Sequence, residues 1–564
     1  MPDSANIAGH LPLMAARQPD HPAVKIPRGR TAGRIDYLTL SFRELDAEVD
    51  AWVARLQGRG VRQGDRVLVM VKQGLPLIAA VFALFKLGAV PVVIDPGMGR
   101  NNFLACVARS RPRVLLGIPL AQLLGHFFRS AFASVEVRVW VSGSATARQP
   151  APAGAAAGTP VMVASASSDL AAILFTSGST GAPKGVCYEH GMFDAQVRLV
   201  RDTYGIQPGE VDLPMLPIFA LFNPALGMTT VVPEIDPSRP ATVDPDKIIQ
   251  AIRQENVTNS FGSPTLWRKI AARAGEQHLK LSSVRRILMA GAPVPPALFA
   301  AVKEILPNGS AYSPYGATES LPLCSISARE VLEETAQATA AGRGTCVGRP
   351  VPEISVRIIA LTEEPLASLG QARLLPAGEI GEIIVSGPVV TKQYDQLPEA
   401  TAGAKIAGES PGSLWHRMGD VGYLDDKGRL WFCGRKAERV EAPAGPLYTE
   451  QVEPIFNAHP SVRRTALIGL GERGRQQPAL VVEPAEPATV ATPSARRKLL
   501  RELRELGQQH APTAELRRFY LHPGFPVDVR HNAKIHRLVL ARWAANQPGY
   551  EMDRREIPRE TLGI

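Results

Sequence analysis

The sequence predicts an α/β protein with a large N-terminal domain and a small C-terminal α+β domain, and three observations support this. At 564 residues the chain is longer than one hydrophobic core usually fills. Short apolar runs of strand character alternate with helical-period segments, the pattern of a parallel sheet wrapped by helices. After residue 432 the pattern restarts on a smaller scale, with its own strands and an amphipathic helix. Composition agrees with a packed interior: 45% of residues are hydrophobic and 21% charged, while 49 glycines and 49 prolines mark many tight turns.

The first unit is a strand in "DRVLVMV" (65–71), a helix over 74–88 and a strand in "AVPVVID" (89–95). The apolar stretch 76–94 is too interrupted to span a membrane, because Lys86, Gly88 and Pro91 break it after about three helical turns. "RVLLG" and "VEVRVWV" supply further strands. Residues 142–168, rich in Ala, Gly, Pro and Ser, read as a surface connection. Beyond them "NSFGSPTLWRKIAAR" and "VRRILMAGAPVPPALFAAVKEIL" each pass from strand through a Gly/Pro turn into a helix, and "EIGEIIVSGPVV" is a later strand. The large domain is expected over 1–432 and the small domain over 438–564. In the small domain "RTALIGLG" and "PALVVEP" read as strands, and "PSARRKLLRELREL" as a helix with Leu499, Leu500, Leu503 and Leu506 on one face and a solvated arginine face opposite.

The formal net charge of +10 could serve nucleic acid, a membrane surface or anionic small substrates; the basic residues are scattered along the whole chain, and no nucleic-acid partner is expected. Cys106, Cys187, Cys324, Cys346 and Cys433 are odd in number and form no CxxC pair, which argues against a disulfide framework or zinc site. The N-terminal segment lacks a cationic start backed by an apolar core, so a cytoplasmic location without a signal peptide or transmembrane segment is expected.

The chemistry begins at "TSGSTGAPKG" (176–185). Its glycines, Gly178 and Gly181 among them, let backbone N–H groups turn towards a ligand. Thr176, Ser177, Ser179 and Thr180 add hydroxyl donors, and Lys184 a charge. Such a loop suits a polyphosphate. It is not a Walker A loop, because Pro183 stands where that spacing requires glycine before the lysine.

The loop resembles the phosphate loop of the adenylate-forming superfamily of acyl-CoA synthetases, luciferases and adenylation domains. "AGAP" (290–293), "YSPYGATES" (312–320), "MGDVGYLDDKGRLWFCGRK" (418–436) and "NAKIHR" (532–537) resemble its later motifs in the same order. The resemblance implies the adenylate-forming enzyme fold, with a hinge over 433–437 and a mobile C-terminal domain, and ATP with Mg2+ as its cofactors. It places Gly291, Ala292, Pro293, Tyr315 and Gly316 around adenine, Thr318 at the α-phosphate and Glu319 on magnesium. A hard cation suits a carboxylate plus phosphate oxygens. Asp420 matches the acceptor of the ribose hydroxyls, Arg435 its assistant, and Lys534 the small-domain lysine that supplies charge during adenylation. The chain departs from the superfamily at Ala437, where aspartate or lysine is customary at the hinge, and in "ERVEAPAGPLYTEQVEP", which lacks the usual lysine and glycine.

No "GGxS" carrier-attachment motif follows the small domain. "YEHGMFDAQV" (188–197) and "PIFALFNPALGMTTVVPEIDPSRPA" (217–241) resemble segments of the olefin β-lactone synthetases. That resemblance implies a long-chain 2-alkyl-3-hydroxy acid as substrate, a β-lactone product with release of AMP and pyrophosphate, and association with other enzymes of an olefin pathway. Phe219, Leu221, Phe222, Leu226 and Met228 are candidates for an acyl tunnel, or equally for core packing. His190 is the first candidate base for removing the 3-hydroxyl proton, with a core histidine as the alternative. Two rival functions are a long-chain fatty acyl-CoA or acyl-AMP ligase, and a nucleotide-binding protein without catalysis. The presence of Lys184, Glu319 and Lys534 argues against the second.

Overall fold

A computed structural model describes residues 5–149, 162–176, 182–236, 239, 242–527 and 535–552. A six-stranded sheet runs in the order Val137–Trp140, Val114–Gly117, Arg66–Met70, Val90–Val93, Leu170–Thr176, Lys184–Glu189. It is parallel except for its last pair. The expected first unit is present as Arg66–Met70, helix Leu75–Lys86 and Val90–Val93. That helix is buried nearly all round, as its unbroken apolar sequence requires. Lys86 is buried with it because its ammonium donates to Asp50 and lies 3.6 Å from Asp46.

A second sheet of 14 strands has a parallel half and an antiparallel half. The parallel half carries Val211–Pro214, Asn259–Gly262, Arg286–Met289 and Ser310–Ala317 side by side. Helices Pro264–Glu276 and Pro296–Ile305 pack on it through Trp267, Ile270, Phe299 and Val302, all at most 1% exposed. The antiparallel half continues through Ser320–Ser327, Thr345–Pro350, Leu430–Arg435 and Leu414–Leu424.

Later in the chain, Val462–Leu470, Gln477–Pro484, Arg518–Leu521 and Tyr550–Glu551 form a separate four-stranded sheet. Its core includes Leu499, Leu500 and Leu503 from the amphipathic helix Pro493–Gln508, with Leu506 half-buried beside them. All five cysteines are buried and free. Among the described residues no helix is long and apolar enough to cross a membrane.

Candidate active site

A continuous cleft of about 2560 Å3 is lined by both large sheets and by residues from the C-terminal part of the chain. Its polar floor is built from hairpins. Ser310–Ala317 and Ser320–Ser327 pair antiparallel with Ala317 opposite Ser320, so Thr318 and Glu319 form the two-residue tip, facing the cleft. A Cβ at Gly316 would stand 2.7 Å from the carbonyl oxygen of Ser320, so only glycine fits where this hairpin closes. Gly291, Ala292 and Pro293 follow the strand Arg286–Met289 onto the same wall, with Gly291 turned to φ +97°.

The tip is held from several directions. Tyr188 donates its hydroxyl to the carbonyl oxygen of Thr318. Thr391 donates its backbone N–H (2.9 Å) and its hydroxyl (3.1 Å) to the carbonyl oxygen of Glu319. Tyr394 donates its hydroxyl to Glu319 Oε1 at 2.9 Å, and its ring receives the Lys184 ammonium 4.7 Å from the centroid. Lys405, buried behind, donates to the carbonyl oxygen of Thr391, and burial pulls its ammonium pKa down to about 7. One tyrosine therefore touches both Lys184 and the tip carboxylate.

A second hairpin sets Asp420 directly opposite Arg435 in register. Arg435 Nη1 lies 2.8 Å from Asp420 Oδ1, and Tyr315 donates its hydroxyl to Asp420 Oδ2 at 2.6 Å. Burial, then the neighbouring Asp420 charge, hold the Tyr315 phenol well above its usual range, so it stays a donor. The arrangement presents a carboxylate whose orientation is set from both sides.

The strand pair that frames residues 177–183 places Thr176 opposite Lys184, which returns the lysine to the cleft. Ser177, Gly178, Ser179, Thr180 and Gly181 lie outside the described residues, as does Lys534. Ile535, His536 and Arg537, which follow Lys534, line the cleft. Arg537 is anchored there by Glu453 (2.6 Å) and Glu438 (2.8 Å).

Of the expected acyl-wall residues, Phe219, Leu221 and Phe222 line the cleft, with Phe219 stacked on Phe261 at 3.6 Å between centroids. Leu226 and Met228 instead pack into the core, 6% and 2% exposed, because the chain turns away after the short helix Asn223–Leu226. His190 is likewise off the cleft wall. Its Nδ1 accepts the backbone N–H of Ile7 at 3.3 Å, its ring meets Phe85 edge-on, and burial pulls its pKa down to about 4. The tether to Ile7 and the contact with Phe85 place His190 in the packing around the N-terminal segment, away from the cleft where a base for the 3-hydroxyl would have to stand. Sequence reasoning missed Tyr188, Thr391 and Tyr394. Tyr188 opens a segment singled out for other reasons, and Tyr394 had no signal beyond its position in "TKQYDQLPEAT".

A mixed α/β scaffold with a hairpin-tip Thr–Glu pair, an oriented carboxylate and Lys184 on one cleft is that of an adenylate-forming enzyme. The chain belongs to the AMP-binding enzyme family, whose pattern matches residues 13–395. It is 48% identical over 552 residues to an olefin beta-lactone synthetase of Xanthomonas campestris pv. campestris, covering 96% of this chain and 98% of that protein. To an olefin beta-lactone synthetase of Stenotrophomonas maltophilia it is 47% identical, with the same two coverages, 96% and 98%. Two solved structures share the fold. Amide bond synthetase McbA from Marinactinospora thermotolerans has a TM-score of 0.76 at 24% identity, covering 95% of this chain and 99% of that one. ATP-bound MatB from Rhodopseudomonas palustris has a TM-score of 0.76 at 21% identity, covering 96% and 99%.

Proposed function

We propose that this enzyme is an ATP-dependent olefin β-lactone synthetase that adenylates a long-chain 2-alkyl-3-hydroxy acid and closes it to a β-lactone. The observation that carries the reading is the likeness over nearly the whole of two olefin beta-lactone synthetases. The cleft agrees with it, since the polar floor of Tyr315, Thr318, Glu319 and Asp420 runs into an apolar wall of Phe85, Phe193, Phe219 and Phe222. A molecule with a nucleotide at one end and alkyl chains at the other suits such a cleft.

In this reading ATP lies with its ribose on Asp420, beside Arg435, and its adenine against Gly291, Ala292, Pro293, Tyr315 and Gly316. The triphosphate meets the 176–185 loop, Lys184 and Thr318. Among the described residues there is no cluster of three or more His, Cys, Asp or Glu able to cage a metal. Glu319 with one oxygen on Tyr394 retains acceptor capacity, and one carboxylate plus phosphate oxygens is the usual setting for Mg2+. Magnesium held there would neutralise phosphate charge.

The acid carboxylate attacks the α-phosphorus and pyrophosphate leaves, with Lys534 offering charge to the shifting oxygens. The substrate's 3-hydroxyl then attacks the acyl carbon, loses its proton as the C–O bond forms, and AMP departs with the electron pair of the broken bond. The folded substrate makes this step intramolecular, which replaces an encounter by an oriented contact. Residues 1–432 act as the large domain, 433–437 as the hinge and 438–564 as the small domain that brings Lys534 in. The free, buried cysteines suit a reducing cytoplasm, and enzymes that supply the hydroxy acid and consume the lactone would be its pathway partners.

The test supplies ATP, Mg2+ and a synthetic 2-alkyl-3-hydroxy acid without coenzyme A. The expected products are AMP, pyrophosphate and a compound lighter than the acid by one water with a strained-ester carbonyl absorption. The 3-deoxy acid should form adenylate yet release no acyl product. Rapid thioester formation from the deoxy acid on adding coenzyme A would make the protein an acyl-CoA ligase instead.

A further inference from the structure

We propose that the helix Pro119–Phe127 docks this enzyme onto an anionic lipid surface, and that its acid substrate enters the cleft at that point. The second half rests on the substrate reading above. The first half rests on the surface alone.

The helix "PLAQLLGHF" connects two strands of the six-stranded sheet and buries Ala121, Gln122 and Gly125 against it. Gln122 Nε2 donates to the carbonyl oxygen of Val139 at 3.0 Å, which fixes the helix on the sheet. The opposite stripe, Leu120, Leu123, Leu124 and Phe127, falls at i, i+3, i+4 and i+7, one helical face. On that face Leu120 is 61%, Leu123 52% and Phe127 70% exposed. Among the described residues, five large hydrophobics are more than half exposed, and three of them stand on this one short helix. Scattered single exposures need no explanation, but a stripe does.

The stripe is continuous with the active site. Leu120 and Leu124 belong both to it and to the cleft wall, so the helix forms part of the cleft's mouth. Ile218, 37% exposed, stands on the same wall. An apolar path therefore runs from solvent at Phe127 and Leu123 past Leu120 and Leu124 to the aromatic wall within.

The sequence that flanks the stripe carries charge of one sign, and Arg129 at the end of the helix donates to the carbonyl oxygen of His126. Between Asp95 and Glu136 there is no Asp or Glu, while Arg100, Arg109, Arg111, Arg113 and Arg129 all fall in that interval. Arg100, Arg111 and Arg129 are exposed. The acids at either end are engaged, Asp95 with the backbone N–H of Gly97 and Glu136 with Arg113. Ile118 donates its backbone N–H to Met70 at 3.1 Å, which brings exposed Lys72, two residues beyond Met70, next to the start of the helix. Exposed leucine and phenylalanine edged by cations match the chemistry of anionic lipid headgroups over acyl chains. A second copy of this chain fits less well, because a net charge of +10 repels itself.

The experiment uses the full-length enzyme and sedimentation with vesicles of phosphatidylcholine, alone or with about 30% phosphatidylglycerol. Wild type should bind the anionic vesicles and bind the neutral ones at least tenfold more weakly. L123D/F127D should lose anionic-vesicle binding by on the order of a hundredfold, while its ATP–pyrophosphate exchange with detergent-dispersed acid and its circular dichroism stay as in wild type. R129E should reduce anionic binding several-fold and leave neutral binding as it was. Vesicle binding unchanged in L123D/F127D would overturn the proposal. So would a wild-type dimer that binds no vesicles and that L123D/F127D dissolves, which would assign the stripe to a second copy. Because vesicle binding is read without turnover, its failure is separate from failure of the β-lactone assay.

Discussion

Tyr315→Phe tests whether the orientation of Asp420 is part of nucleotide recognition. The substitution removes one oxygen and keeps the ring, which sits 6.0 Å from Phe432 between centroids. What is lost is the 2.6 Å hydrogen bond to Asp420 Oδ2, while Arg435 still holds Oδ1 at 2.8 Å. Asp420 is buried, its side chain 5% exposed, so water compensates poorly for the missing donor. A hydrogen bond to a charged group contributes about 1.5–3 kcal/mol, which corresponds to roughly ten- to a hundredfold in affinity. With Asp420 as the ribose acceptor, the loss should fall on nucleotide binding: KM for ATP should rise at least about tenfold and kcat should change by less than about threefold. The assay is acid-dependent ATP–pyrophosphate exchange at saturating acid and Mg2+ across an ATP titration, with Tm as the folding control. An unchanged KM for ATP, or a fall confined to kcat, would refute the assignment of Asp420 to the ribose.

Glu319→Gln should weaken the Mg2+ dependence of exchange and move its midpoint to higher metal concentration; identical curves for variant and wild type would remove Glu319 from the metal site. Lys534→Ala should bind ATP normally in equilibrium titration but lose adenylation by on the order of a hundredfold or more, and near wild-type pyrophosphate release would show the lysine misassigned. Asp212 is buried, 7% exposed, and burial pushes its carboxyl pKa up from 3.8 to about 7 even though Asn223 donates to it. A raised carboxyl pKa means the folded state holds the proton more tightly. Its contribution is therefore full below pH 4 and is lost as pH rises through about 7. Asp212→Asn should flatten denaturant stability across that window by a few kcal/mol relative to wild type, and parallel pH profiles for the two proteins would count against this.

The sequence by itself determined the strand–helix–strand order of the first unit and the strands and amphipathic helix of the separate C-terminal sheet, because these follow from apolar periodicity and local turn chemistry. Through its resemblance to the adenylate-forming enzymes it also singled out Tyr315, Thr318, Glu319, Asp420 and Arg435, and its glycine and hydroxyl loop singled out Lys184, because such motifs are short and keep their order along the chain. The tertiary structure decided what those residues touch. Tyr394 reaches Glu319 across 75 positions and Tyr188 reaches Thr318 across 130, contacts that no local pattern encodes. It also separated residues of one type: Phe219, Leu221 and Phe222 face the cleft while Leu226 and Met228 enter the core, and His190 is tied to Ile7. Hydrophobicity requires only that such side chains leave water, and both a substrate wall and a core satisfy that requirement. Which one a residue joins depends on the direction of its Cα–Cβ bond after the sheets have packed, a quantity set by the whole chain.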